Sequence, residues 1–135
     1  MFRTLDPSIS VFGQLEPEDV AAAKAEGFTM IVNNRPDNEQ PGQPAGAAIE
    51  AAAKAAGLAY VAIPVDHSGF NEGQVAAMAE ALEAAPGPVL AFCRSGTRSA
   101  LACALVHREQ GASAEQVHQR LAEAGFDSGP IAHLL

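Results

Sequence analysis

Basic residues are scarce in this chain: Lys and Arg number 8 against 16 Asp and Glu, for a formal net charge of −8 over 135 residues. So acidic a chain has no basic patch to displace the counterions of a phosphate backbone, which excludes a nucleic-acid surface. The same charge disfavours binding to an anionic membrane and favours solubility. Cysteine is scarce too. Cys93 and Cys103 are too few for a disulfide framework and lack the spacing of a zinc site, so neither a metal nor a cofactor is expected. Ten residues apart near one helix start, the two thiols are badly placed for a bridge. A reducing, cytoplasmic compartment fits them and leaves a thiol available for chemistry. No apolar run reaches the roughly 18 residues of a spanning helix. The opening MFRTLDPSIS has no apolar stretch of signal-peptide length, so export is not expected. There is no internal repeat, linker or low-complexity tail, and 48% hydrophobic residues exclude disorder. One domain spanning residues 1–135 is expected.

What is present is an alternation of short apolar runs with alanine-rich helical stretches, punctuated by glycine. Strands are expected at 8–12, 28–32, 58–65 and 89–92. Pro17 opens a first helix and Gly27 closes it. A second helix carries Ile49, Ala52, Ala53 and Ala56 on one face and stops at Gly57. Val75, Met78, Ala79 and Leu82 mark a third at the i, i+3, i+4, i+7 spacing. A fourth follows the second arginine of the cysteine loop, with Leu101 and Leu105 inward, and ends at Gly111. Ser113 with Gln116 reads as a capping box for a fifth. Strands alternating with helices imply an α/β fold: a mostly parallel central sheet of four to five strands with helices on both faces. Ligands of such sheets bind beyond the carboxyl ends of the strands. Three loops should therefore meet there: Asn33–Asp37, Asp66–Asn71 and Cys93–Arg98.

The third loop carries the chemistry. A strand, a short loop containing glycine and a helix N-terminus make an anion site, because backbone N–H groups and the helix dipole converge there. A thiol at the start of that loop is favoured as thiolate, the nucleophilic form. Gly96 can take positive φ and let Arg94, Ser95 and Thr97 curl their amides around one centre. Arg98 offers a planar fork to two oxygens of a tetrahedral anion, Arg94 adds charge at the rim, and the Ser99 hydroxyl can donate to the sulfur. The Cys93 sulfur then attacks phosphorus or sulfur to give a covalent intermediate. Cys103, in an alanine-rich helix, reads as a small buried hydrophobe.

Phe92-Cys93-Arg94-Ser95-Gly96-Thr97-Arg98-Ser99 resembles the active loop of single-domain rhodaneses, the thiosulfate sulfurtransferases. The wider pattern is Phe12-Gly13-Gln14-Leu15, Ile31-Val32-Asn33-Asn34-Arg35-Pro36-Asp37, Ile63-Pro64-Val65 and then the cysteine loop. Over nearly the whole chain it resembles the phosphatase-like domain family of beta-lactamase hydrolase-like bacterial proteins. That resemblance implies a fold like that of dual-specificity and tyrosine phosphatases. Two departures stand out. Those phosphatases place five residues between the cysteine and the arginine, and here there are four; they usually carry histidine before the cysteine, and here it is Phe92. A shorter loop makes a tighter ring of amides, better matched to one sulfane sulfur than to a phosphoryl group.

By analogy with cysteine phosphatases, Asp66 would protonate a departing alkoxide, a task that sulfite leaving thiosulfate does not require. Asp66 also suits an Asx-type turn. His67 could do the same proton work or lie on the surface. Arg35 either helps bind the anion or pairs with Asp37 or Glu39 to fix its loop. His107, His118 and His133 read as surface residues.

The expected function is therefore sulfane-sulfur transfer from thiosulfate or a persulfide to a thiol. The alternative is hydrolysis of a phosphomonoester by Cys93, Arg98 and Asp66. A third possibility is a non-catalytic anion or persulfide sensor that docks on a sulfur-metabolising enzyme. In each case the ligand is a small anion.

Overall fold

The computed structural model describes residues 2–66 and 68–135. Its sheet has five strands: β1 (Arg3–Asp6), β2 (Ile9–Phe12), β3 (Met30–Asn33), β4 (Ala59–Ala62) and β5 (Val89–Phe92). They lie in the order β1-β2-β5-β3-β4. Only β1 runs antiparallel, against β2; the other pairs are parallel. The helices are α1 (Asp19–Ala25), α2 (Gly46–Ala55), α3 (Glu72–Ala84), α4 (Thr97–Glu109) and α5 (Ala114–Glu123). A 3-10 helix, Gly129–Leu134, follows.

Alternation along the strands divides the core into two layers. Val11, Met30, Val32, Val89 and Ala91 face α3, α4 and α5. Ile31, Leu90 and Phe92 face the opposite way, onto Val20, Ile49 and Ala53 of α1 and α2. The central strands β3 and β5 are buried along their whole length, as a parallel sheet covered on both sides requires. Helix α4 is buried without a break from Ser99 to Val106. Its small residues Ala100, Ala102, Cys103 and Ala104 allow it to lie between the sheet and its neighbouring helices.

The expected α/β architecture with helices on both faces is present. The sequence reading misses β1, a half-exposed edge strand with no apolar alternation to announce it. It also overextends the third strand, whose regular pairing with β3 ends at Ala62 ahead of Pro64, although the Val65 N–H still donates to the Asn34 carbonyl at 2.9 Å. The capping box at Ser113 and Gln116 is formed, with both reciprocal hydrogen bonds. Register sets up the site. Phe12 and Asn33 both pair with Phe92, so three strands end at one level and their following loops begin side by side.

Candidate active site

Cys93 follows the last residue of β5 and has no exposed surface. The Gly96 N–H donates to its Sγ at 3.2 Å. Gly96 caps α4 with φ of 90°, a left-handed conformation that a side chain resists. This folds the loop back over the sulfur and aims the N-terminus of α4, with its partial positive charge, at the loop's centre. Cys103, also fully buried, is different: burial first, with the nearby Asp6 carboxylate and the Cys93 sulfur adding to it, pushes its thiol up.

Arg98, in the first turn of α4, brings its guanidinium to the same place. Its Nη1 donates to Glu39 Oε2 at 2.8 Å and to the Val65 carbonyl at 2.7 Å, and its Nη2 donates to Glu39 Oε1 at 2.8 Å. These three bonds use the end of the fork. The lateral edge, formed by Nε–H and the second Nη2 hydrogen, takes no part in these three bonds. The guanidinium is held firmly protonated, by hydrogen bonding to Glu39 first and with the Cys93 sulfur adding its own attraction. Two parallel donors beside a sulfur are what a tetrahedral oxyanion requires.

Glu39 is the functional-site residue that the motif reading did not single out. Besides Arg98 it takes Arg35 Nε at 2.9 Å. The Arg98 hydrogen bond, reinforced by Arg35, brings its carboxyl from the ordinary 4.5 down to about 2. Its position, four residues after Arg35, hinted at the first pair. The second joins residues 59 apart and was not legible in the sequence.

Arg35 is not at the mouth of the loop. Its side chain is 3% exposed, and its other two nitrogens donate to Gln14 Oε1 and Gln40 Oε1, each at 2.9 Å. It stands behind Arg98 and braces Glu39. Asp37, the other partner considered for it, instead accepts from the Gly46 N–H at the start of α2. Ser99 also differs from expectation. Its hydroxyl donates to Asn34 Oδ1 at 2.8 Å, and the Asn34 amide donates to the Ile63 carbonyl at 2.9 Å. With its NH₂ fixed by that carbonyl, Asn34 turns its oxygen to Ser99 and takes the proton that the sulfur would otherwise receive. Both side chains are completely buried, and their mutual bond removes what would otherwise be a costly pair of unmet groups.

Asp66 closes an Asx turn: its Oδ1 accepts from the Ser68 N–H at 2.8 Å and from the Ser68 hydroxyl. It also lines a cleft of about 450 Å³ together with Thr97 and Arg98. The remaining wall of that cleft includes Phe70, Leu101, Pro130 and Leu134. Arg94 and Ser95 are exposed on the outer rim, with the Ser95 hydroxyl donating to Thr97 Oγ1 at 3.2 Å. The three loops do meet. His133, read as a surface residue, is exposed on the same cleft. His67 lies outside the described residues. Among those described, no three His, Cys, Asp or Glu side chains group as a metal would require.

A parallel sheet that delivers a buried cysteine, an amide over its sulfur and an arginine fork to one loop defines a cysteine-phosphatase-like protein. Residues 1–110 match the family described as "Beta-lactamase hydrolase-like protein, phosphatase-like domain", and the chain belongs to it. It is 34% identical over 126 residues to a beta-lactamase hydrolase-like protein of Xylella fastidiosa, covering 93% of this chain and 29% of that one. The chain thus spans under a third of that relative's length. Among solved structures, one described as a candidate phosphatase from Neisseria meningitidis superposes with a TM-score of 0.87 at 27% identity, covering 98% of this chain and 94% of the other. A TpbA variant from P. aeruginosa in complex with pTyr has a TM-score of 0.69 at 18% identity, over 94% and 75% of the two chains, a likeness of fold.

Proposed function

We propose that this chain is a cysteine-dependent phosphomonoester hydrolase, with Cys93 as nucleophile, Arg98 as oxyanion binder and Asp66 as general acid. The observation that carries the reading is the shared cleft: a carboxyl group and the arginine fork line the same space. An alkoxide leaves badly without a proton, whereas sulfite leaves thiosulfate as a stable anion, so an acid placed there has a use in hydrolysis and none in sulfur transfer. Membership of a phosphatase-like family and the likeness to phosphatase structures weigh the same way. The order of preference drawn from loop length alone is accordingly reversed. The four-residue spacing still lets the arginine side chain reach back along the first turn of α4 to the sulfur.

The lateral edge of Arg98 would take two phosphoryl oxygens, and the Gly96 amide lies beside the sulfur that attacks. The Cys93 sulfur forms a bond to phosphorus as the ester P–O bond breaks, and Asp66 passes its proton to the departing oxygen. Water then attacks phosphorus, Asp66 accepts a water proton, and the S–P bond breaks to release phosphate and the thiolate. The apolar wall of Phe70, Leu101, Pro130 and Leu134 suits an apolar leaving group.

The test is turnover of an aryl phosphate by the wild type and by Cys93→Ser, beside a thiosulfate–cyanide assay of the same preparations. Phosphate release that depends on Cys93, with no thiocyanate, supports hydrolysis. Thiocyanate without phosphate release overturns it.

A further inference from the structure

We propose that the cleft at Arg98 continues along α4 into a second compartment, and that its substrate is the phosphate monoester of a long-chain aliphatic alcohol. This deepens the hydrolase reading and rests on it, but the groove can be probed with ligands that are not turned over.

Beside the cleft lies a second cavity of about 500 Å³, and the two share Phe70 and Leu134 as walls. Helix α4 floors both. Arg98 and Leu101 line the first compartment, Leu105 and Arg108 the second. These positions recur at every third or fourth residue and so share one face of the helix. One bank of the groove is the loop before α3 and that helix's first turn, as far as Val75; the other is the 3-10 helix, through Pro130 and Leu134. From Thr97 to Arg108 the helix rises about 16 Å, a length that an extended chain of about ten carbons covers. A phosphoryl group over Cys93 thus has beside it a trough longer than one aromatic ring.

The lining decides what that trough takes. Leu101, Leu105 and Val75 form an apolar floor, and Phe70 and Leu134 stand between the two compartments. Among the described residues Leu134 is the large apolar side chain left exposed, at 48%, and a chain running from one compartment to the other covers it. Polar groups around the second compartment are already engaged within the protein. Arg108 Nε and Nη1 donate to the carbonyls of Leu135 and Ala112 at 3.3 and 3.2 Å. Asn71 commits its Oδ1 and its backbone N–H to the reciprocal capping box with Gln74. A bound peptide brings backbone donors and acceptors that must find partners, whereas an alkyl chain brings none. The exposed carboxylates of Glu72 and Glu109 at the rim, on a chain of net charge −8, repel an acidic peptide or a nucleotide. Asp66 favours the same choice, because a departing alkoxide needs its proton far more than a phenolate does.

The experiment measures kcat/KM for butyl, hexyl, octyl and decyl phosphate, each below its micellar concentration, beside an acidic phosphopeptide. Calorimetric binding of butyl- and decylphosphonate, whose C–P bond is not hydrolysed, accompanies it. A fully buried methylene is worth about fourfold, so an open groove should give about twofold per methylene and roughly fiftyfold from butyl to decyl. Leu134→Asp, which sets a carboxylate between the compartments on an already exposed position, should cut the decyl-to-butyl ratio by at least about tenfold. Decylphosphonate should bind the wild type at least about tenfold more tightly than butylphosphonate, a result that does not depend on any variant folding. A flat or falling series overturns the proposal, as does a ratio untouched by Leu134→Asp, or a phosphopeptide turned over faster than decyl phosphate. Aryl phosphate hydrolysis with equal binding of the two phosphonates overturns it and leaves the hydrolase reading intact. Tighter binding of decylphosphonate by a protein that hydrolyses no ester refutes the hydrolase reading and leaves the groove standing.

Discussion

Replacing Gly96 by alanine probes the loop with one methyl group. The added Cβ would lie 3.4 Å from the backbone carbon and oxygen of Phe12 and 3.5 Å from Phe126 Cζ, close but tolerable contacts. The cost therefore comes from the backbone, since φ is 90°. Holding a non-glycine residue in such a conformation costs about 1 to 3 kcal/mol. In a domain of this size that lowers the melting temperature by roughly 3 to 12 °C. Gly27 is a matched control, with φ of +94° and nothing within 4 Å of its Cβ position, so its alanine variant carries the same backbone cost outside the site. Scanning calorimetry should give similar falls for the two variants. They should part in activity. Relaxation of the strain in Gly96→Ala pulls the amide away from Cys93 Sγ, and kcat/KM should fall by about tenfold or more, as for loss of an oxyanion-hole donor. Gly27→Ala should keep wild-type kcat/KM. Full activity in Gly96→Ala alongside the expected thermal loss would refute the argument that this turn shapes the site.

Asp66→Asn should reduce hydrolysis of an alkyl phosphate by about 10² to 10⁴ while sparing any thiosulfate reaction; equal losses on both substrates would remove Asp66 from the proton-transfer role. The depressed Glu39 carboxyl contributes stability that is fully present above the ordinary value of 4.5 and is lost as pH falls toward about 2. Acid unfolding followed by circular dichroism should accordingly show a shallower pH dependence between those values in Glu39→Gln, and an unchanged profile would contradict the pairing with Arg98. Cys103, fully buried and with its thiol pushed up by that burial, should resist iodoacetamide in the native protein and react only on unfolding. Cys103→Ser should keep its turnover, and a dead variant would show that a second sulfur takes part.

The residues that sequence reading located well are those whose role is local. A glycine set between a short apolar run and an alanine-rich stretch announces the strand-to-helix turn that carries Cys93 and Arg98, and the Ser113–Gln116 box announces its helix, because each pattern is satisfied within a few residues. What sequence reading missed is set by tertiary neighbours. Ser99 stands within reach of the sulfur on paper, but a fully buried Asn34 from the loop after β3 claims its proton. Arg35 looks like a second anion binder until Gln14, Glu39 and Gln40 are found around it. Strand β1 was unreadable because an edge strand with one pairing partner needs no apolar face of its own. The proposed choice of phosphorus over sulfur likewise rests on tertiary neighbours. Loop length can be counted in the sequence, whereas the placing of Asp66 on the same cleft as Arg98 depends on two loops folding together.

The central claim, that the Cys93 sulfur carries a phosphoryl group during turnover, is tested most directly by acid-quenching the enzyme during hydrolysis of an aryl phosphate and mapping the adduct by peptide mass spectrometry. The expected result is one phosphoryl group on the peptide containing Cys93, absent in Cys93→Ser and accumulating in Asp66→Asn given an aryl ester, whose phenolate leaves without help while the water step slows. Steady phosphate release with no adduct on Cys93, or a single added sulfur atom there after thiosulfate together with no phosphoryl adduct under any condition, would contradict it.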